Sequence, residues 1–331
     1  MCILLCDMRK PSGNPSLCRR VSCACLPTHR RCNDETYAIY QNLLAQVERV
    51  FRHCRQGSIQ TRRRYKEAVC RFCYFLAEVY HVERVANIAP KHIFAYTDFL
   101  KENQRAASTI KTDLAAIRFF HDQLPSRKHP KLPTNAMLDL ERRSFGKVDR
   151  TWHDEEVNRM IGKAWGEGRE DYAAAICLAR HCGLRTHEIF RLDTATAQRA
   201  IKTGQLTIKG KGGKNRTVPL PRTAELELEA MLRQTPRGHK LFVSDDTPTD
   251  LAINRFQCFL YRHRDAVQIA DRHHPLTCHG LRHTYAVEQY LSCRKQGMDE
   301  HATCRYVSRL LGHEREDVTR IYLASLREGG K

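Results

Sequence analysis

The chain has 331 residues and carries 56 Lys and Arg against 37 Asp and Glu, a formal charge of +19. That length suits two domains with cores large enough to fold unaided, and that charge points to a polyanionic partner, nucleic acid ahead of an anionic membrane surface. No run approaches the roughly 18 apolar residues of a membrane span, and the opening MCILLCDMRK is too short an apolar stretch for a secretory signal.

A cytoplasmic protein is therefore expected, nucleoid-associated if the source is bacterial. Its 15 cysteines are odd in number and lack an export signal, so they are expected as reduced thiols. Cys2, Cys6, Cys18, Cys23, Cys25 and Cys32 lie among Arg, Pro and Ser without helical or strand periodicity, and residues 1–34 read as a disordered Cys-rich leader. Their spacing matches no standard metal-ligand pattern.

Amphipathic patterning begins at Asp34. In TYAIYQNLLAQVERVFRHC, Tyr37, Leu43, Val47 and Phe51 mark an apolar face. A second helix is predicted from Ser58 to Tyr80, and Cys70 and Cys73 within it read as helix packing, since no second CxxC completes a zinc site. A third follows Pro90, and a fourth is STIKTDLAAIRFFHDQL, with Ser108 as its N-cap. These four helices make a first domain over 35–127. Arg62, Arg63, Arg64, Lys66, Lys111 and Arg118 on their polar faces are candidates to track a phosphate backbone if the fold gathers them on one side.

Residues 128–150 combine prolines and charges with little periodicity and read as a linker. The second domain, 151–331, opens with TWHDEEVNRMI, a capped helix with acidic residues in its first turn. It is mostly helical with one hairpin, QLTIKGKGGKNRTVPL, in which Leu206 and Ile208 alternate on one arm and Val218 and Leu220 on the other. The fold class is mainly α with a small β-hairpin, α+β.

Six residues of this domain could handle a phosphodiester: Arg185, Lys211, His279, Arg282, His313 and Tyr322. Singly, each has an ordinary structural explanation. Arginine presents a planar fork of donors matched to phosphate oxygens, so Arg185 and Arg282 suit a clamp on the negative charge that builds up at phosphorus. His279 and Arg282 are three apart, which on a helix turns both side chains the same way. Tyr322 is the candidate nucleophile; its phenol, ordinarily titrating near pH 10, needs a proton acceptor, for which His279 is the candidate.

Three phrases bring these residues into one family. RHCGLRTHEIFRL, HGLRHTYA and LLGHEREDVTRIYL resemble the three boxes of tyrosine recombinases of the phage-integrase and Xer type, and with the GKG hairpin the resemblance spans residues 150 to 322. It implies a helical, SAM-like core-binding domain and a catalytic domain that together form a C-shaped clamp on double-stranded DNA. It further implies cleavage and rejoining through a 3′-phosphotyrosyl bond, with Lys211 as general acid to the departing 5′ oxygen. Lys209 and Lys214 are rivals for that role and otherwise DNA contacts, because register in a Gly-rich turn is weakly specified. His313 would hydrogen-bond the phosphate, and Glu188 would orient Arg185 or the loops around it. No cofactor and no metal is implied; a homotetramer on DNA and an accessory DNA-bending or directionality factor are. Integration or excision of a mobile element is the expected task.

Other readings meet the residues less well. Gly204, Gly210 and Lys211 have five residues between the glycines where a phosphate-binding loop needs four, and Gly212 stands where Ser or Thr would reach magnesium. Cys293, His301 and Cys304 have poor zinc spacing in a helical stretch. A type IB topoisomerase shares the phosphotyrosine chemistry, and an idle DNA-binding regulator would show a broken constellation, whereas here every position is filled. The stretch from Arg282 to His313 reads as lengthened, the tail LASLREGGK as short for exchange between subunits, and the leader as too short for a folded arm-binding domain.

Overall fold

The computed structural model describes residues 34–141, 149–210, 213, 215–269, 274–312, 322–323 and 326. The leader, Lys211, Lys214 and His313 lie outside the described residues. The chain divides between Arg143 and Ser144 into two compact units, and no described helix is long and apolar enough to cross a membrane.

The first unit is built on α1 (Asp34–His53), α2 (Ile59–Tyr80), α3 (Pro90–Glu102) and α4 (Ala107–Asp122). Asp34 and Glu35 open α1, and Arg52 and His53 close it, each sign against the opposite end of the helix dipole. Its buried face is Ile39, Tyr40, Leu43 and Val47. Tyr37 is not part of it, being 54% exposed. Six residues of helix before Leu43 put Tyr37 about 120° off that face, and Tyr40 fills the place instead. Ser58 caps α2, its hydroxyl accepting from the Thr61 amide at 3.1 Å. Cys70 and Cys73 are buried on α2 with Phe72, Phe75 and Leu76.

Ser108 does not cap α4. The helix already starts at Ala107, the carbonyl of Ala106 accepts from the amides of Thr109 and Ile110, and the Ser108 carbonyl accepts from the Thr112 hydroxyl at 2.8 Å. Alanine, the strongest helix former, carries the helix past the serine. Residues 128–141, read from the sequence as part of a linker, pack onto this unit: Leu132, Leu138 and Leu140 meet its core, and the Lys128 amide donates to the Ala86 carbonyl at 3.0 Å.

The second unit runs through α5 (Asp154–Gly166), α6 (Glu170–Cys182), α7 (Thr186–Ile189), α8 (Thr194–Thr203), β1 (Gln205–Lys209), β2 (Asn215–Pro219), α9 (Arg222–Gln234), α10 (Thr249–Val267), α11 (Cys278–Lys295) and α12 (Glu300–Leu311). Its centre is α6, buried along almost its whole length, with α5, α9 and α11 packed around it. The start of α5 lies a turn beyond Thr151, where the Glu156 carboxylate accepts from the His153 amide at 2.9 Å. Cys293 and Cys304 are buried thiols on α11 and α12.

The strands pair antiparallel, Leu206 opposite Val218 and Ile208 opposite Arg216. Alternation turns these four inward and Thr207, Lys209, Asn215 and Thr217 outward. An arginine thus occupies a core-facing place, where its charge must find a buried partner.

Candidate active site

A glycine sets the first functional side chain. Helix α6 ends on Gly183 in the left-handed region at φ +60°, and a Cβ there would lie 2.3 Å from the Tyr285 ring, so only glycine lets the chain turn here against α11. The turn delivers Arg185 to the start of α7 with its side chain 28% exposed.

Beneath it sits Glu188. Its carboxylate accepts from the Arg185 amide at 2.7 Å and from Arg185 Nη1 at 3.1 Å, and it receives a two-point contact from Arg216, at 2.6 and 2.7 Å. Arg216 also donates through Nε to the Leu310 carbonyl at 2.9 Å. Burial would raise the Glu188 pKa, but the Arg216 bonds and charge, the Arg185 amide and the charge of Arg282 outweigh it and hold the carboxyl down at about 2. Glu188 is therefore a permanent anion, and its neighbours compensate it.

Helix α11 supplies the rest. Thr277 caps it, and Gly280 in its first turn is required because a Cβ would lie 2.5 Å from the Arg150 carbonyl and 2.7 Å from Trp152 Nε1. Trp152 pins the unit's opening segment to α11, donating through Nε1 to the Thr277 carbonyl at 2.9 Å and through its amide to the Thr284 hydroxyl at 2.8 Å. Arg282 is fully buried at 0% exposure. Its two terminal nitrogens donate to the carbonyls of Gly183 and Leu311, and its Nε has no hydrogen-bond partner among the described residues. Burial, then the nearby Arg185 charge, push its pKa down to about 10, still cationic at neutral pH.

Tyr322 meets this face of α11. Its hydroxyl lies 3.3 Å from His279 Nε2, its ring stacks on His283 at 4.2 Å between centroids and 23° between planes, and the Arg282 guanidinium carbon is 5.8 Å from its ring centroid. Burial, then the charges of Arg282, Arg150 and Arg185, hold His279 down to about 4. Burial and the neighbouring His279, with Arg150 and Arg282, hold His283 at about 3. Both imidazoles are neutral at pH 7, so His279 can accept a proton from a phenol. A cleft of about 320 Å³ opens beside them, lined by Arg185, Thr186, Gln257 and His279.

Arg185, Glu188, His279, Arg282 and Tyr322 thus come together, whereas Lys209 is exposed at the end of β1. Arg216 and His283 were missed by the sequence reading. Both had a signal: Arg216 stands two residues before Val218 on the inward face of a strand, and His283 stands four after His279 on one helix face.

Each of the candidate phosphate-tracking residues of the first unit has a contact within that unit. Arg62 and Lys66, one turn apart on α2, contact the Cys54 carbonyl and Glu48. Arg64 pairs with Asp113 on α4, Lys111 donates to the Glu141 carbonyl, and Arg118 donates to the Pro133 carbonyl at 2.7 Å. Arg63 pairs with Glu67 on its own helix. Among the described residues, no group of three or more His, Cys, Asp or Glu is placed to hold a metal ion.

The pattern of the Phage integrase family matches residues 151–328, and that of the phage integrase N-terminal SAM-like domain matches residues 33–128. Tyrosine recombinase XerC of Natranaerobius thermophilus is 26% identical over 75% of this chain and 82% of its own. XerC of Herpetosiphon aurantiacus is 28% identical over 72% and 76%. In fold, the chain is similar to a lambda integrase dimer bound to a COC′ core site, with a TM-score of 0.60 at 18% identity over 89% of this chain and 81% of that one. It is also similar to XerH recombinase bound to palindromic difH substrate, with a TM-score of 0.56 at 19% identity over 91% and 88%. The chain belongs to the phage integrase family, the tyrosine recombinases, enzymes that break and rejoin DNA strands in site-specific recombination.

Proposed function

We propose that this recombinase cuts and rejoins duplex DNA through a 3′-phosphotyrosyl bond at Tyr322, and that its task is integration or excision of a mobile element. The observation that carries the chemistry is the Tyr322 hydroxyl 3.3 Å from the neutral His279 Nε2, beside the buried cation of Arg282.

A scissile phosphate would seat in the cleft at Arg185 and His279. The Tyr322 oxygen attacks phosphorus and passes its proton to His279, while Arg185 and Arg282 bind the non-bridging oxygens more tightly as their negative charge grows. The 5′ oxygen leaves with a proton from Lys211, and His313 donates a hydrogen bond to the phosphate. Attack by a 5′ hydroxyl on the phosphotyrosine reverses each transfer and rejoins a strand. The first unit's cations would hold the duplex from its backbone, with four protomers assembled on two sites and an accessory DNA-bending or directionality factor setting the outcome.

Nicked suicide duplexes drawn from the host genome test this directly, because the short released strand diffuses away and leaves the covalent intermediate. Digestion should yield a DNA-linked peptide containing Tyr322, and the attached sequences should be the ends of an element. An adduct on another residue, or none, overturns the reading. A single chromosomal locus assigns the enzyme to chromosome-dimer resolution, and efficient relaxation of a supercoiled plasmid lacking any such site assigns it to topoisomerase action.

The proton acceptor makes a further prediction. A free-enzyme pKa of about 4 leaves His279 neutral throughout the ordinary range of His titration. Cleavage measured as kcat/KM should therefore stay level as pH falls from 7 to 5.5 and decline only as pH approaches 4. An inflection near 6.5 contradicts His279 as the base in this environment.

A further inference from the structure

We propose that His283 is a positioning residue for the nucleophile, the platform on which the Tyr322 ring is seated so that its oxygen is aimed from His279 toward phosphorus. The inference rests on Tyr322 being the nucleophile.

Four observations converge on it. His279 and His283 stand one turn apart on α11, so both rings rise from the same face. The His279 ring meets His283 edge to face at 5.1 Å and 82°, and meets Tyr322 edge to face at 5.4 Å and 66°. The Tyr322 ring lies nearly flat on His283. A hydrogen-bonding influence of the Tyr322 backbone on the His283 imidazole also partly offsets the burial that holds its pKa down. One side chain thus meets both the face of the nucleophile's ring and the influence of the peptide that carries it, while being only 3% exposed itself.

A phenol aimed at phosphorus must be held against two side-chain torsions, and the stacked face restricts both. Attack requires the reacting atoms to be close and aligned, and small losses of alignment lower the rate steeply. The reacting oxygen contacts His279 at 3.3 Å, and His283 acts on it by seating the Tyr322 ring that carries it beside the His279 ring. Its neutral form matters to the fit: an imidazolium here would meet the charges of Arg150 and Arg282 in a buried space, with His279 as its neighbour on α11.

Single-turnover cleavage of a suicide duplex tests the proposal, together with duplex affinity and the unfolding midpoint. His283→Ala should cleave about 30-fold more slowly, the combined worth of a ring stack and a backbone hydrogen-bonding influence, with affinity unchanged. His283→Phe restores the ring face without the hydrogen-bonding influence and should recover to within about 5-fold of wild type. His283→Asn, which keeps a polar group without a ring face, should resemble Ala and serves in its place if Ala does not fold. A residue that merely fills the core would lower affinity and cleavage together.

Wild-type cleavage by Ala or Asn overturns the proposal, as does a Phe variant no faster than Ala. Either result leaves the Tyr322 adduct of the wild-type enzyme intact, so the two readings fail separately.

Discussion

Arg282→Lys should bind its duplex as tightly as wild type and cleave it roughly 30- to 150-fold more slowly, a loss of about 2 to 3 kcal/mol of transition-state stabilisation. The reason lies in how the guanidinium is used. Its two terminal nitrogens are engaged with the Gly183 and Leu311 carbonyls, at the ends of α6 and α12, Nε has no hydrogen-bond partner among the described residues, and the guanidinium carbon lies 5.8 Å from the Tyr322 ring centroid. One planar group therefore ties two backbone segments and still has donors for an oxyanion. A lysine ammonium has a single nitrogen and cannot span both carbonyls while facing a phosphate. Burial would also press its pKa down, weakening the charge where it is needed.

Affinity should hold, because binding draws on many exposed cations spread over the chain and Arg282 is not among them. Arg185→Lys should show the same split. There Glu188 keeps its contacts from Arg216, so the loss should be in rate with little change in unfolding midpoint. Wild-type single-turnover rates in either variant would remove the clamp from the mechanism.

Much of this site was legible because local chemistry restricts residue type. Only glycine turns at Gly183 against Tyr285, so Gly-Leu-Arg reads as a helix end that presents an arginine. The hairpin was legible because Leu206, Ile208 and Val218 alternate, and burial follows the same period. Where phase had to be judged from few residues, the reading slipped: Tyr37 was placed on the face that Tyr40 occupies, and Ser108 was given a cap that Ala106 and Ala107 had already made unnecessary.

Arg216 was hidden for a different reason. Arginine on a short strand ordinarily points to water, and only the three-dimensional position of Glu188, 28 residues away, makes the inward turn favourable. The carbonyls of Leu310 and Leu311 left no trace in the sequence at all, since any residue offers a backbone oxygen. Yet these two adjacent carbonyls are held by Arg216 and Arg282, so the last turn of α12 is located by side chains from the hairpin and from α11. The chain's three boxes are thereby joined through backbone as much as through the residues that name them.

Arg216→Met should accordingly destabilise the second unit by about 3 to 5 kcal/mol, the usual consequence of stripping one partner from a buried ion pair. Glu188→Gln should do the same from the other side, by leaving Arg216 half-satisfied. The double variant Arg216→Met/Glu188→Gln should lose much less than the sum of the two, because no unpaired charge then remains at that contact, and denaturant unfolding of all four proteins closes the cycle. Additive losses would mean that the two side chains do not stabilise the fold through each other.

The same pair sets an acid limit. With the Glu188 carboxyl at about 2 in the fold against an ordinary 4.5, the pair's contribution is complete above pH 4.5 and drains away as pH falls toward 2. Arg216→Met should raise the carboxyl and flatten that part of the stability profile. The double variant should also cleave slowly even where it is folded, because Arg185 has lost its charged partner and the Leu310 carbonyl its donor. A double variant with restored stability and wild-type cleavage would reduce the pair to a structural tie with no part in aligning the site.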